Sequence, residues 1–221
     1  MIPFQLVPGD DESMSSWLVR LSRKHYNKVQ DFCAYFHIER VLKFPLDIEV
    51  NRVLIQDKLK LQIDIPSTIS EKLPCFKWDR GRSKWLIEPN RKGQALLSSF
   101  TKICPGCLSS KGFYQLKWKL NLFNGCIDCG TYLYDKCPGC KRSFSPLRAD
   151  FMFPIQSDLS PLYYCSYCRI DFRRIPGVEM TVKDFEQLIL INRAYTENPV
   201  NLRYLTFLQF GVIEGISIRK L

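Results

Sequence analysis

Cys104-Pro105-Gly106-Cys107 and Cys137-Pro138-Gly139-Cys140 are near-copies of one another. Each is followed by a second pair, Cys126-Ile127-Asp128-Cys129 and Cys165-Ser166-Tyr167-Cys168. Eight of the ten cysteines of this 221-residue chain fall into these four Cys-x-x-Cys pairs. Two cysteines three apart form a knuckle, a tight turn that points both thiolates to one side, and two knuckles supply the tetrahedral four-sulfur shell that zinc prefers. Proline sets the approach to the turn, and glycine is expected to permit it.

Pairing the knuckles in chain order gives Cys-x2-Cys-x18-Cys-x2-Cys and Cys-x2-Cys-x24-Cys-x2-Cys. The first is ribbon-like spacing. The second needs a longer loop, which residues 145–162 can supply. Chain order closes the shorter loops and is the expected arrangement. The alternative is a cross-brace in which knuckles one and three share a metal and knuckles two and four share another. The expected ligands are therefore Cys104, Cys107, Cys126 and Cys129 for one zinc ion and Cys137, Cys140, Cys165 and Cys168 for a second. Both shells are closed by sulfur, so the metals hold the fold rather than catalyse. Four thiolates also suit an iron–sulfur cluster, but the ribbon spacing favours zinc. The leftover Cys33 and Cys75 read as small core residues.

Outward from this centre, the chain is 46 % hydrophobic and 13 % aromatic, enough for a packed core. No stretch reaches the roughly 20 apolar residues of a membrane span. Met1 to Glu12 has no basic region and carries Asp10, Asp11 and Glu12, unlike a secretory signal, so a soluble cytoplasmic bacterial protein is expected. The formal charge is +10, and the chain stays basic after zinc and thiolates are counted, which favours polyanionic partners.

The fold expected is α+β and mostly helical. Residues 1–75 read as a helix-turn-helix-like bundle. Asp10, Asp11 and Ser13 offer caps, and Met14, Trp17, Leu18 and Leu21 make one helical stripe. A second helix is expected over 29–36, burying Phe32, Cys33 and Phe36. A third is expected over 48–61, and a short fourth after Pro66 with Thr68 and Glu71 as a capping box. Residues 76–103 read as a basic linker, in which Lys77, Arg80, Arg82, Lys84, Arg91 and Lys92 alternate with Phe76, Trp78 and Trp85. That mixture suits phosphate contact with stacking, or a solvated linker whose tryptophans plug a neighbouring core. Residues 104–175 form the tandem zinc-ribbon-like modules. Residues 176–221 form C-terminal helices, one capped by Thr181 and one carrying Leu202, Leu205 and Leu208.

Arg20, Arg23 and Lys24 fall mainly off the first stripe and are candidate nucleic-acid or partner contacts. So are Arg169, Arg173 and Arg174, which lie among Tyr163, Tyr164 and Tyr167. No catalytic constellation appears. His25 and His37 have no triad partners, no phosphate-binding glycine loop occurs, and the acids form no two-metal cluster. A non-enzyme is expected.

Two stretches resemble the TniQ family of transposition proteins. One is Pro8 followed by Glu12-Ser13-Met14-Ser15-Ser16-Trp17-Leu18-Val19-Arg20-Leu21. The other runs from Cys104-Pro105-Gly106-Cys107-Leu108 through Tyr114, Trp118, Cys126, Cys129 and Leu133 to Cys137-Pro138-Gly139-Cys140. The family often has His where this chain has Cys129, and a thiolate fills the same ligand role. The resemblance covers about residues 1–170.

It implies a target-selection adaptor that connects an RNA-guided CRISPR effector complex to an AAA+ ATPase transposition regulator on DNA, with DNA contact that is not sequence-specific. At 221 residues the chain looks like a short form of the family. The resemblance leaves open a sequence-specific DNA-binding selector acting without a guide RNA. The cysteine pattern alone also leaves open a cross-braced module like a RING domain.

Overall fold

The computed structural model describes residues 6–37, 47, 100–155 and 160–197. Helix α1 spans Met14–Lys24. Ser13 caps it, its side chain accepting from Ser16 N at 3.3 Å. The stripe Met14, Trp17, Leu18 and Leu21 is buried, as the periodicity predicts. Helix α2, Val29–Tyr35, buries Val29, Phe32 and Cys33, with Phe36 packed 4.7 Å from Phe32, ring to ring. The expected helices over 48–61 and after Pro66 lie outside the described residues, as do Cys75, the linker to residue 99 and the last C-terminal helix. A helix-turn-helix is therefore not established. Among the described residues, the exposed face of α2 is Gln30, Asp31, Ala34 and Tyr35, with no basic side chain.

Helix α3 (Pro105–Lys111) grows out of the first knuckle, and helix α4 (Pro146–Met152) out of the segment after the third. The first was expected only as a tight turn and the second only as loop. Both use one device: a capping side chain, Cys104 or Ser145, accepts a backbone N–H, and proline follows at the first helical position. Gly112, at φ 75°, ends α3 in the left-handed conformation that glycine adopts freely. Single 3-10 turns occur at Leu116–Lys119, Pro161–Tyr163 and Phe172–Arg174. Helix α5 spans Val182–Glu197, and the Thr181 side chain accepts from Asp184 N at 3.2 Å.

The sheet is small. Strands β1 (Gly125–Cys126) and β2 (Thr131–Tyr132) pair antiparallel with Cys126 opposite Thr131. The second strand is extended on its other side by Glu179 opposite Thr131, and further along by Ile103 opposite Tyr134. This ribbon and the knuckles are compatible with zinc-ribbon-like modules, and the architecture is mixed, with five α-helices among the described residues.

One hydrophobic core joins α1, α2 and both cysteine modules. Met14, Leu18, Phe32 and Cys33 share it with Ile103, Leu108, Tyr114, Trp118, Leu162 and Phe172. A second, smaller cluster holds α5 through Leu188 and Tyr195 against Leu116, Leu120 and Phe123. Polar bonds fix the same contacts. Glu12 is fully buried and accepts from Gly9 N at 2.9 Å, Ser16 Oγ at 3.0 Å and the Arg20 guanidinium at 2.5 Å. Ser16 Oγ in turn accepts from Tyr114 N at 3.0 Å, and Ser15 donates from N and Oγ to Asp47. The Ser-Met-Ser-Ser-Trp stretch is thus a buried polar joint between α1 and the first module. Such a joint is costly to break, because each orphaned partner would stay out of water.

Candidate metal centres

The structure places the sulfurs of Cys104, Cys107, Cys126 and Cys129 within 4.8 Å of one another, and does the same for Cys137, Cys140, Cys165 and Cys168. The grouping follows chain order, and knuckles one and three do not share a site. Closest approaches are 3.3 Å for Cys107 to Cys126 and 3.6 Å for Cys107 to Cys129. In the second group Cys137 to Cys168 and Cys140 to Cys165 are each 3.5 Å. Zinc–sulfur bonds of about 2.3 Å in a tetrahedron place sulfurs about 3.8 Å apart. Disulfide sulfurs stand at about 2.05 Å, so these are free cysteines at metal-shell spacing. Each group can hold one zinc ion, two in all.

Three of the four knuckles share one backbone design. Gly130 N donates to Cys126 O, Lys141 N to Cys137 O and Arg169 N to Cys165 O, at 2.9, 2.8 and 3.1 Å. The residue after the second cysteine is left-handed in each: Gly130 at φ 65°, Lys141 at 61° and Arg169 at 63°. The chain then returns as a hairpin, closed by bonds from Cys137 N to Arg142 O and from Cys165 N to Ile170 O. The first knuckle differs, because its cysteines open α3 and Cys104 Sγ accepts from Cys107 N at 3.5 Å.

The glycines act differently from the expectation. Neither Gly106 nor Gly139 has positive φ. A Cβ on Gly106 would stand 3.0 Å from Cys129 Sγ, and one on Gly139 would stand 3.3 Å from Cys168 Sγ. Each Cys-Pro-Gly-Cys glycine therefore leaves room for the last sulfur of its own site rather than enabling a turn.

Without a cation the adjacent thiols divide, some holding their protons more tightly and others releasing them more readily. Burial pushes Cys165 up to about 12, and contact with the Cys104 sulfur pushes Cys126 up to about 12. Cys104, which receives hydrogen bonds from the Cys107 and Cys126 thiols, is pulled well down. A dication replaces the protons that hold such a cluster together. At the first site's rim Asp128 lies 3.6 Å from Cys107 Sγ, and the Lys111 ammonium, 2.6 Å away, holds its carboxyl below the usual range.

The candidate contact residues are placed unevenly. Arg20 is paired to Glu12. Arg23 binds Asp150 Oδ1 at 2.5 Å and also donates to the carbonyls of Asp150, Phe153 and Pro154, while Asp150 Oδ2 accepts from Val29 N at 2.8 Å. These two arginines are tie-bars inside the fold. Lys24 is exposed. Lys77, Arg80, Arg82, Lys84, Arg91 and Lys92 lie outside the described residues. Arg169 lies over Phe153 and donates to Met152 O at 2.9 Å, Arg173 pairs with Asp171, and the Arg174 side chain is 88 % exposed. Asp47 and Asp150 do not stand out in the sequence, because nothing local marks an acid whose partner lies 32 or 127 positions away.

Helices docked on two four-thiolate modules define a zinc-knuckle scaffold protein. Residues 3–133, more than half of the chain, match the model of the TniQ family, and the chain belongs to that family. Membership ties it to transposition. The match takes in the buried signature and the first module and stops before the second. No curated protein matches the chain. Among the described residues no helix is long and apolar enough to cross a membrane.

Proposed function

We propose that the chain is a target-selection adaptor that connects an RNA-guided CRISPR effector complex to an AAA+ transposition regulator on DNA, without catalysing a reaction itself. The observation that carries this reading is the fate of the family signature. Within the matched stretch, Glu12, Ser13, Ser15 and Ser16 are buried, Ser13 and Ser16 are bonded to Tyr114 of the first module, and Arg20 and Arg23 turn inward onto Glu12 and Asp150. A helix that spends both its arginines on internal carboxylates is a brace rather than a base-reading element. Both cysteine groups are closed shells suited to rigidity, and they carry loops on which a partner can be read.

The test is a pull-down of the zinc-loaded chain against the AAA+ ATPase encoded beside it, with and without ATP and duplex DNA. The adaptor reading expects capture that needs ATP and DNA. No capture, together with a single sharp footprint by the isolated chain on one DNA sequence, would replace it with the sequence-specific selector.

A further inference from the structure

The second cysteine module carries a surface that the first does not. Between residues 136 and 175 the chain has seven Lys or Arg and three Asp or Glu. Two of those acids are spent internally: Asp150 is buried against Arg23, and Asp171 pairs with Arg173. The thiolates and their zinc subtract two charges, and the module stays positive.

The arginines are organised on rings. Arg142 Cζ lies 4.0 Å and Arg148 Cζ 5.2 Å from the centre of the Tyr167 ring, and Arg169 Cζ lies 3.9 Å from that of Phe153. Tyr167 and Arg169 flank Cys168, and Arg142 lies two residues beyond Cys140, so the metal site itself sets their spacing. Among the described residues no acidic side chain pairs with Arg142, Arg148 or Arg169. A guanidinium laid on a ring has lost much of its rotamer freedom. Arg142 and Arg169 are exposed and Arg148 is half-buried, with one Arg169 N–H held by Met152 O.

We infer that this face, centred on Arg142, Arg148 and Arg169, binds the phosphate backbone of duplex DNA and depends on the second metal for its shape. It rests on the adaptor reading only in that the partner is DNA. Single-stranded nucleic acid is bound chiefly by bases stacking on open aromatic rings. Here the rings carry guanidinium groups, which leaves N–H donors suited to phosphate oxygens.

The experiment uses the full zinc-loaded chain and fluorescence anisotropy with a labelled duplex of arbitrary sequence and one of its single strands, over a salt series. Each phosphate contact contributes about 0.9 to the slope of log affinity against log salt for B-DNA. The Arg142→Gln/Arg148→Gln/Arg169→Gln variant should lower that slope by about 2–3 and weaken duplex binding at least tenfold. A Lys183→Gln/Arg193→Gln variant on α5, where both residues are exposed, should change affinity less than twofold. Zinc content is counted on every sample. Should the Gln variant lose zinc, the Lys triple at the same three positions decides: it keeps the charge and should keep the slope. Unchanged slope in a zinc-loaded Gln variant, or tighter binding to the single strand than to the duplex, overturns the inference. So does a zinc-loaded Lys triple that loses duplex binding. The wild-type pull-down on the ATPase reads the adaptor role separately, so either idea can fail alone.

Discussion

At the scale of single residues, Gly106 and Gly139 show how closely the sulfur shells are fitted. Both lack the left-handed backbone that usually explains a glycine in a turn, and both face the last sulfur of their site. The gap is tighter at Gly106, 3.0 Å against 3.3 Å. Gly106→Ala should therefore weaken the first site by about 1–3 kcal/mol, the usual cost of overpacking, and Gly139→Ala should weaken the second by less. Chelator competition followed by a zinc dye would give both values, and equal effects would contradict the packing argument. The thiols set a pH dependence of definite sign. Cys126 and Cys165, raised to about 12 before metal binds, carry protons throughout pH 5–8. Zinc must displace those protons, so affinity should rise with pH by about tenfold per unit for each proton released. Competition titrations at pH 6, 7 and 8 would check this, and a flat profile would mean that the metal-free sites are already thiolate.

At the scale of elements, chain order of the cysteine pairs was expected because it closes the shorter loops. The four knuckles were legible because a knuckle is local: two sulfurs three residues apart meet in any chain that makes the turn. The α1 stripe was legible for the same reason, since Met14, Trp17, Leu18 and Leu21 declare a face by spacing alone. Helices α3 and α4 were not expected, although Pro105 and Pro146 each sit at the first helical position, where proline favours a helix start. A Cys-x-x-Cys pair marks a turn, and its spacing is silent on whether the chain continues as a helix or a hairpin. The inward turn of Arg23 was not legible at all, since its partner Asp150 is 127 positions away. Lys102 is a similar case. It is buried, and its ammonium donates to Leu120 O, Asn121 O, Phe123 O and Asn124 Oδ1 at 2.8–3.2 Å, acting as a fixed cation under the loop that leads into β1. Burial lowers it to about 8, so it still carries its proton at pH 7. Lys102→Met should cost about 2–4 kcal/mol, because several oxygens would lose their donor without regaining water. Thermal unfolding would show the loss, and a Tm unchanged within a degree would mean that solvent replaces the ammonium.

At the scale of the whole molecule, the account rests on one physical dependence. Helices α1 to α4, the ribbon and both sulfur groups share one core, and α5 packs on a smaller cluster beside it, so the metals do not decorate a fold that exists without them. Cys104, Cys107, Cys126, Cys137 and Cys165 are themselves core residues. Stripping zinc would leave adjacent sulfurs in the middle of the packing with only protons to reconcile them. The buried joint from Glu12 through Ser16 to Tyr114 N carries that dependence into α1, the helix of the family signature. The same dependence places any partner surface of the second module under control of its metal. The most direct measurement is native mass spectrometry of the purified chain, paired with near-ultraviolet circular dichroism during chelator titration. The account expects two zinc ions per chain, and loss of the tryptophan signals from Trp17 and Trp118 as the metal leaves. A chain that retains that near-ultraviolet spectrum after both metals are gone, or that holds fewer than two, would contradict it.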